Sequence, residues 1–261
     1  MRQSINNYTA FVGKEFMENM RTKKFFVLVC ILMFFAIFSA LMARYSVEIM
    51  EYIMSMEEQT IIIEIPPPVW TDSYGQLYSS LSEMGIIVII IMFMSIVLRE
   101  KTSGTIDLMF TKGLSPYTFV FSKYTVAAIL TLVALLIAVF VSYFYTLVLF
   151  EYGGDVVNVI QGAMVFGLFV IMVIALTLLC SSIASSTAIG AVLSFMAYLF
   201  IGLFNFIPVV GQFMPGNLRG HSVPLTMGES GEHVAIHIIT ATVVIALSLF
   251  VSAQVLQRRK G

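Results

Sequence analysis

Charge is scarce in this sequence, and it is missing in blocks. Only 11% of the 261 residues are Asp, Glu, Lys or Arg, where a soluble domain typically carries about 25%. The shortfall is concentrated in runs of about twenty apolar residues, the pattern of membrane-spanning helices. Away from their ends these runs hold no Asp, Glu, Lys or Arg. Carriers coupled to protons or ions usually need such residues as relays, so that class is disfavoured. A phosphate-binding loop of the form G-x-x-x-x-G-K-[ST] is also missing: Gly13-Lys14 is followed by Glu15 and lacks the upstream Gly. No nucleophile, base and orienting group cluster as a membrane-embedded hydrolase requires. The chain thus shows no energy source of its own. Its net charge of −1 carries no sign of a nucleic-acid partner, and none is expected.

Cysteine is nearly absent. Cys30 and Cys180 both sit inside apolar runs, toward the ends assigned below to the reducing side. They are expected to be small core residues without a disulfide. The first apolar run lacks an A-x-A site and exceeds a typical signal h-region, so it is expected to be a retained span.

What is present reads as an all-α integral membrane protein with six spans, at 25–43, 77–98, 124–150, 162–181, 188–206 and 234–256. Residues 1–24 have helical period, with Ile5, Tyr8, Val12, Phe16 and Met20 on one face and Lys14, Glu15, Glu18 and Arg21 elsewhere. This predicts an amphipathic helix lying on the membrane surface. The loop 44–76 is acidic: Ser46–Glu58 has helical character, Thr60–Ile65 is strand-like, Pro66–Pro68 ends regular structure, and Trp70 suits an interface. By strict apolarity the second span is only Gly85–Leu98. Its fourteen residues give about 21 Å, short of a core of about 30 Å, so the helix should begin near Leu77. Glu83 then falls in its outer half, among headgroups or lining an exit path.

Ser182, Ser186, Gly190 and Ser194 recur every fourth residue, a small-residue face for close helix contact, a tight turn, or both together. After span 5, Ile207–Asn217 is apolar but broken by Pro and Gly, as in a re-entrant pair of half-helices. Leu218–Glu232 reads as a polar, mobile loop completing the outer segment 207–233. His233 and His237 are four apart, a weak metal-ligand spacing, and otherwise plain interfacial polarity.

Orientation follows from the basic residues. Arg2, Lys14, Arg21, Lys23 and Lys24 precede span 1; Arg99, Lys101, Lys112 and Lys123 separate spans 2 and 3; Arg258, Arg259 and Lys260 follow span 6. That is twelve of the fourteen Lys and Arg, and six spans place all three segments on one side. The positive-inside rule makes it the cytoplasm, with both termini there.

The polar island 99–123 is the place where something outside the membrane can take hold. Gly104 permits a break. Thr105–Phe110 can form a short helix with Ile106 and Phe110 on one side and Asp107 at the dipole's positive end. Lys112-Gly113 ends it, and Ser115-Pro116 starts the helix into span 3.

The island resembles the coupling loop of type 2 ATP-binding-cassette (ABC) exporter membrane subunits in Glu100, Gly104-Thr105, Ile106, Asp107, Leu108-Met109, Ser115 and Lys123. It departs at Gly113, where that family often has Pro. The N-terminal helix ending in Arg21-Thr22-Lys23-Lys24, the six spans and the broken segment after span 5 are similar to the same family. The resemblance implies a permease subunit in the cell membrane that pairs with a second copy or a homologous subunit. It implies a separate nucleotide-binding subunit carrying ATP and Mg2+, moved against Glu100, Gly104, Thr105, Ile106, Asp107 and Phe110 and against the N-terminal helix at Val12, Phe16, Met20 and Arg21. The chain itself would be no enzyme and would hold no cofactor. Charge-free spans suit an amphipathic peptide or hydrophobic drug; a lipid or ion cargo is the alternative within the family. The rivals are an intramembrane enzyme using His233 and His237, and a membrane anchor or sensor that transports nothing.

Overall fold

In the computed structural model, residues 2–56, 66–205, 207, 211–229, 231 and 233–258 are described, with side chains from Tyr8 onward. Among them all regular structure is helical. The order is α1 (Arg2–Arg21), α2 (Lys24–Arg44), α3 (Ser46–Met56), α4 (Trp70–Ser80), α5 (Ile86–Phe93), α6 (Leu98–Thr102), α7 (Thr105–Thr111), α8 (Pro116–Phe150), α9 (Val156–Ile183), α10 (Thr187–Phe204), α11 (Leu218–Thr226) and α12 (Val234–Arg258). Six helices are long and apolar enough to cross a membrane: α2, the 33-residue rod Trp70–Thr102 built from α4 to α6, α8, α9, α10 and α12.

The second span departs most from expectation. It begins at Trp70 rather than near Leu77, because Trp70 packs edge-on against Tyr152 and Tyr74 donates to the Gly153 carbonyl at 2.8 Å. These contacts anchor the rod to the loop after α8. A π-turn, Leu81–Gly85, interrupts it. A second break falls at residues 94–97, where the amides of Val97 and Leu98 donate to the Ser181 hydroxyl of α9, 3.2 Å each. A hydroxyl thus satisfies backbone groups that a break within an apolar bundle would otherwise strand.

The core lies among α2, α4, α5, α8 and α9, around Leu28, Leu77, Ile86, Ala134, Phe166 and Phe169. α10 and α12 lie at its margin and leave Leu199, Phe200, Leu247 and Phe250 exposed, as lipid-facing positions should be. Of the four-residue repeat, Gly190 and Ser194 are buried, and a methyl on Gly190 would lie 3.1 Å from the Met94 carbonyl. Ser186 caps α10, and Ser182 instead accepts from Ser252 of α12 at 3.0 Å. The repeat serves a turn and two different contacts rather than one continuous face.

Three expectations are corrected. Leu218–Thr226 is a helix, not a loop: Leu218, Ser222 and Thr226 are buried, and a methyl on Gly162 of α9 would strike the Thr226 hydroxyl. Cys30 is exposed and not part of the core; both cysteines are free. On α1, the face that packs inward carries Phe11 and Glu15, while Phe16 is exposed. Of the remaining expectations, the strand-like Thr60–Ile65 lies outside the described residues. So do residues 208–210 of the segment expected to re-enter the membrane; its far end is the 3-10 turn Pro215–Asn217, leading into α11.

Candidate functional site

The polar island folds into two short helices joined by a left-handed glycine. Gly104 has φ 69°, which a side chain would strain, and it separates α6 from α7. α7 ends at a Schellman turn: Leu114 N–H bonds to the Met109 carbonyl and Gly113 N–H to the Phe110 carbonyl, both at 3.1 Å. Gly113 has φ 91°. Proline, fixed near −65°, cannot adopt that angle. Ser115 occupies the cap position before Pro116 without a side-chain hydrogen bond.

α7 is held down by its apolar face. Ile106 and Phe110 join Phe11 of α1, Val97, Phe119 of α8, Leu178 of α9 and Leu256 of α12 in a second core cluster. Phe119 contacts both Phe110 and Phe11, with ring centroids 6.0 and 5.7 Å apart. Ile106 and Phe110 therefore fix the helix and do not present a surface. Asp107, Leu108, Thr111 and Lys112 face outward, and Leu108 is 64% exposed. Asp107 stands in the first turn, as expected. Beside this face a cleft of about 360 Å³ is lined by Ala10, Phe11, Lys14, Met109, Lys112 and Leu114.

Beneath the island lies an ion cluster that periodicity alone did not reveal. Lys123, seven residues into α8, is 4% exposed and reaches Glu15 of α1 at 2.9 Å and Glu100 of α6 at 3.2 Å. Lys14 meets Glu100 at 3.2 Å and Glu15 at 3.3 Å. Arg99 and Glu18 close the rim at 3.7 Å. Burial lowers the pKa of the Lys14 ammonium, but Glu100 and Glu15 outweigh it and leave the value raised. Lys101 donates to the Ser182 and Ala184 carbonyls at 3.1 and 2.8 Å, at the C-terminal end of α9 where a cation suits the helix dipole. α6 is thereby tied to α1, α8 and α9. Glu15, Glu18 and Glu100 approach closely enough to hold a metal ion. The three neighbouring cations already neutralise them, so the trio is an ion-pair cluster.

Of the residues expected on the N-terminal helix, Phe16 and Arg21 are exposed and Val12 and Met20 partly buried. At the other end of the bundle the histidines regroup. His221 of α11 lies against His237, ring centroids 5.1 Å apart, while His233 has φ 66° just before α12. The metal spacing first read in His233 and His237 is thus replaced by a His221–His237 contact. Burial, then His233, lowers the pKa of His221.

A family model for the ABC-2 family transporter protein matches residues 9–226, which include the island, the ion cluster and five of the six spans. The chain belongs to the ABC-2 transporter family. It is the permease component of an ABC transporter, a multi-pass membrane protein of a family that generally works with an ABC ATPase partner and carries no ATPase domain itself. No curated protein matches the chain.

Proposed function

We propose that this permease is an exporter subunit whose α7 and adjoining cleft receive a separate nucleotide-binding subunit. The observation that carries the reading is the construction of the island. A short helix with an exposed Leu108 is fastened through Ile106, Phe110, Glu100 and Lys101 to α1, α8, α9 and α12. A push on the outer face of α7 is transmitted to the ends of several spans, because packed interiors shift as units. The basic segments, read by the positive-inside rule, support a cytoplasmic position for this end and for both termini. When the partner subunits bind ATP and Mg2+ and close, the membrane halves would move relative to each other and open a path outward. The second half is another copy or a homologous permease. An amphipathic or hydrophobic cargo suits the charge-poor spans.

The test is co-expression with a nucleotide-binding subunit and reconstitution into vesicles. The expected result is a stable complex whose ATP hydrolysis depends on the permease and drives a labelled amphipathic peptide across the bilayer. A permease that purifies without any ATPase and leaves its hydrolysis rate unchanged would contradict the reading.

A further inference from the structure

At the end of the bundle opposite the basic island, a cavity of about 430 Å³ lies between the π-turn and α11. It is lined by Tyr78, Ser79, Ser82, Glu83, Arg219 and neighbouring backbone at Gly75 and Gly220. A carboxylate and a guanidinium thus face one space. Neither belongs to any of the ion pairs among the described residues. Their placement is built. The Tyr198 hydroxyl donates to the Ser82 carbonyl at 2.7 Å, and the Arg219 guanidinium reaches the same hydroxyl at 3.5 Å. Tyr198 therefore joins the π-turn to α11, the two elements that carry Glu83 and Arg219. A π-turn, which displaces the helical hydrogen-bond register, is frequent at functional sites.

Depth bears on the occupant. Glu83 precedes Arg99 by sixteen residues, or at most about 24 Å of helix, against a hydrocarbon core of about 30 Å. With Arg99 at one membrane face, Glu83 lies inside the core, at least about 6 Å short of its other border, where a charge calls for an answering group.

We propose that this cavity binds a zwitterionic group bearing both an ammonium and a phosphate, as at the head of an amphiphile, with the ammonium at Glu83 and the phosphate at Arg219. The inference deepens the exporter reading by naming the class of molecule its outward end would hold, and it rests on that reading for its place in transport. An ion of one sign would pair with only one of the two and leave the other, of its own sign, unanswered, whereas a zwitterion answers both. Arg219 suits a phosphate through its forked donors.

The test uses the purified permease alone in an uncharged detergent, with added phosphatidylethanolamine or phosphatidylglycerol, read by native mass spectrometry. Wild type should retain phosphatidylethanolamine. Glu83→Gln and Arg219→Gln should each lower its occupancy about tenfold, the order expected for losing one charge-assisted contact, while Arg219→Lys, which keeps the charge and loses the fork, should fall between wild type and Arg219→Gln. Phosphatidylglycerol, which lacks the ammonium, should lose no occupancy on Glu83→Gln. Glu48→Gln, on the exposed α3, should change nothing. Competition by soluble glycerophosphoethanolamine would assign the site to a free phosphoester; no competition would assign it to the lipid. Phosphatidylethanolamine binding untouched by both Gln variants, in protein of unchanged helicity, would overturn the proposal, as would equal retention of phosphatidylglycerol regardless of Arg219. Because no ATPase is present, failure here leaves the transport reading standing, and failure of transport leaves this binding result standing.

Discussion

The Lys123 ammonium lies 2.9 Å from the Glu15 carboxylate, and both side chains are almost completely buried. One belongs to a spanning helix and the other to the helix before the first span, 108 residues away. Removing one member of a buried pair leaves the other charge stranded, at a cost of about 3–5 kcal/mol. Lys123→Met and Glu15→Leu should therefore each, alone, lower the thermal midpoint of the detergent-solubilised protein sharply. The paired change Glu15→Leu with Lys123→Met should cost less than the sum of the single changes. A double-mutant cycle on thermal midpoints checks this; simple additivity would mean that the pair is not coupled.

The linker between α6 and α7 depends on a backbone angle and not on packing. A methyl added at Gly104 meets no atom within 4 Å, yet φ is 69°. Gly104→Ala should cost about 1 kcal/mol through backbone strain alone. Gly113→Pro should cost more, since φ 91° is closed to proline and the Schellman hydrogen bond from Gly113 N–H is lost. Urea or thermal unfolding of the two variants ranks them, and Gly113→Pro should be the less stable.

Burial separates two roles within α7. Ile106→Ala should lose about 2–5 kcal/mol of stability, the usual cost of emptying a buried aliphatic site. Leu108→Asp, on the exposed face, should change stability by less than about 0.5 kcal/mol while reducing capture of the nucleotide-binding subunit. Parallel thermal-shift and pull-down measurements distinguish the two. Equal stability losses would show that α7 is not seated as described.

Protonation of His221 gives a pH dependence with a defined sign. Its pKa is lowered from 6.5, first by burial and then by His233. The unfolded chain therefore takes up a proton before the folded one does. The stability from this residue is present above about 6.5 and is lost as pH falls through the lower folded value. The thermal midpoint should drop on acidification below pH 6.5, and His221→Asn should flatten that drop.

The spans, the break at Gly104 and the placing of Ile106 and Phe110 on one side of α7 were legible in the sequence because each follows from local pattern: apolar length, a glycine, and a spacing of four. That this side turns inward was not legible, since the resemblance set both residues against the nucleotide-binding subunit. Nor was the ion cluster. Glu15 fell on the side of the N-terminal helix read as solvated, and a charge's true face depends on a partner far along the chain. The signal was Lys123, a cation within a helix that runs on as a span, which needs a carboxylate nearby. Leu218–Thr226 read as a loop because the stretch is polar and contains glycine; its burial against Gly162 of α9 overrides that propensity. The early start at Trp70 depends likewise on Tyr152 and Gly153 across the bundle.

The central claim is that α7 is the seat of the motor subunit, and site-specific crosslinking tests it most directly. A photoreactive residue placed at Leu108 of the permease, co-expressed with its nucleotide-binding subunit in native membranes, should form an adduct with that subunit, and the yield should change when ATP is added. The same probe at Leu247, on the lipid-exposed face of α12, should give no such adduct. An absence of crosslinking at Leu108 from a complex that still hydrolyses ATP would contradict the account.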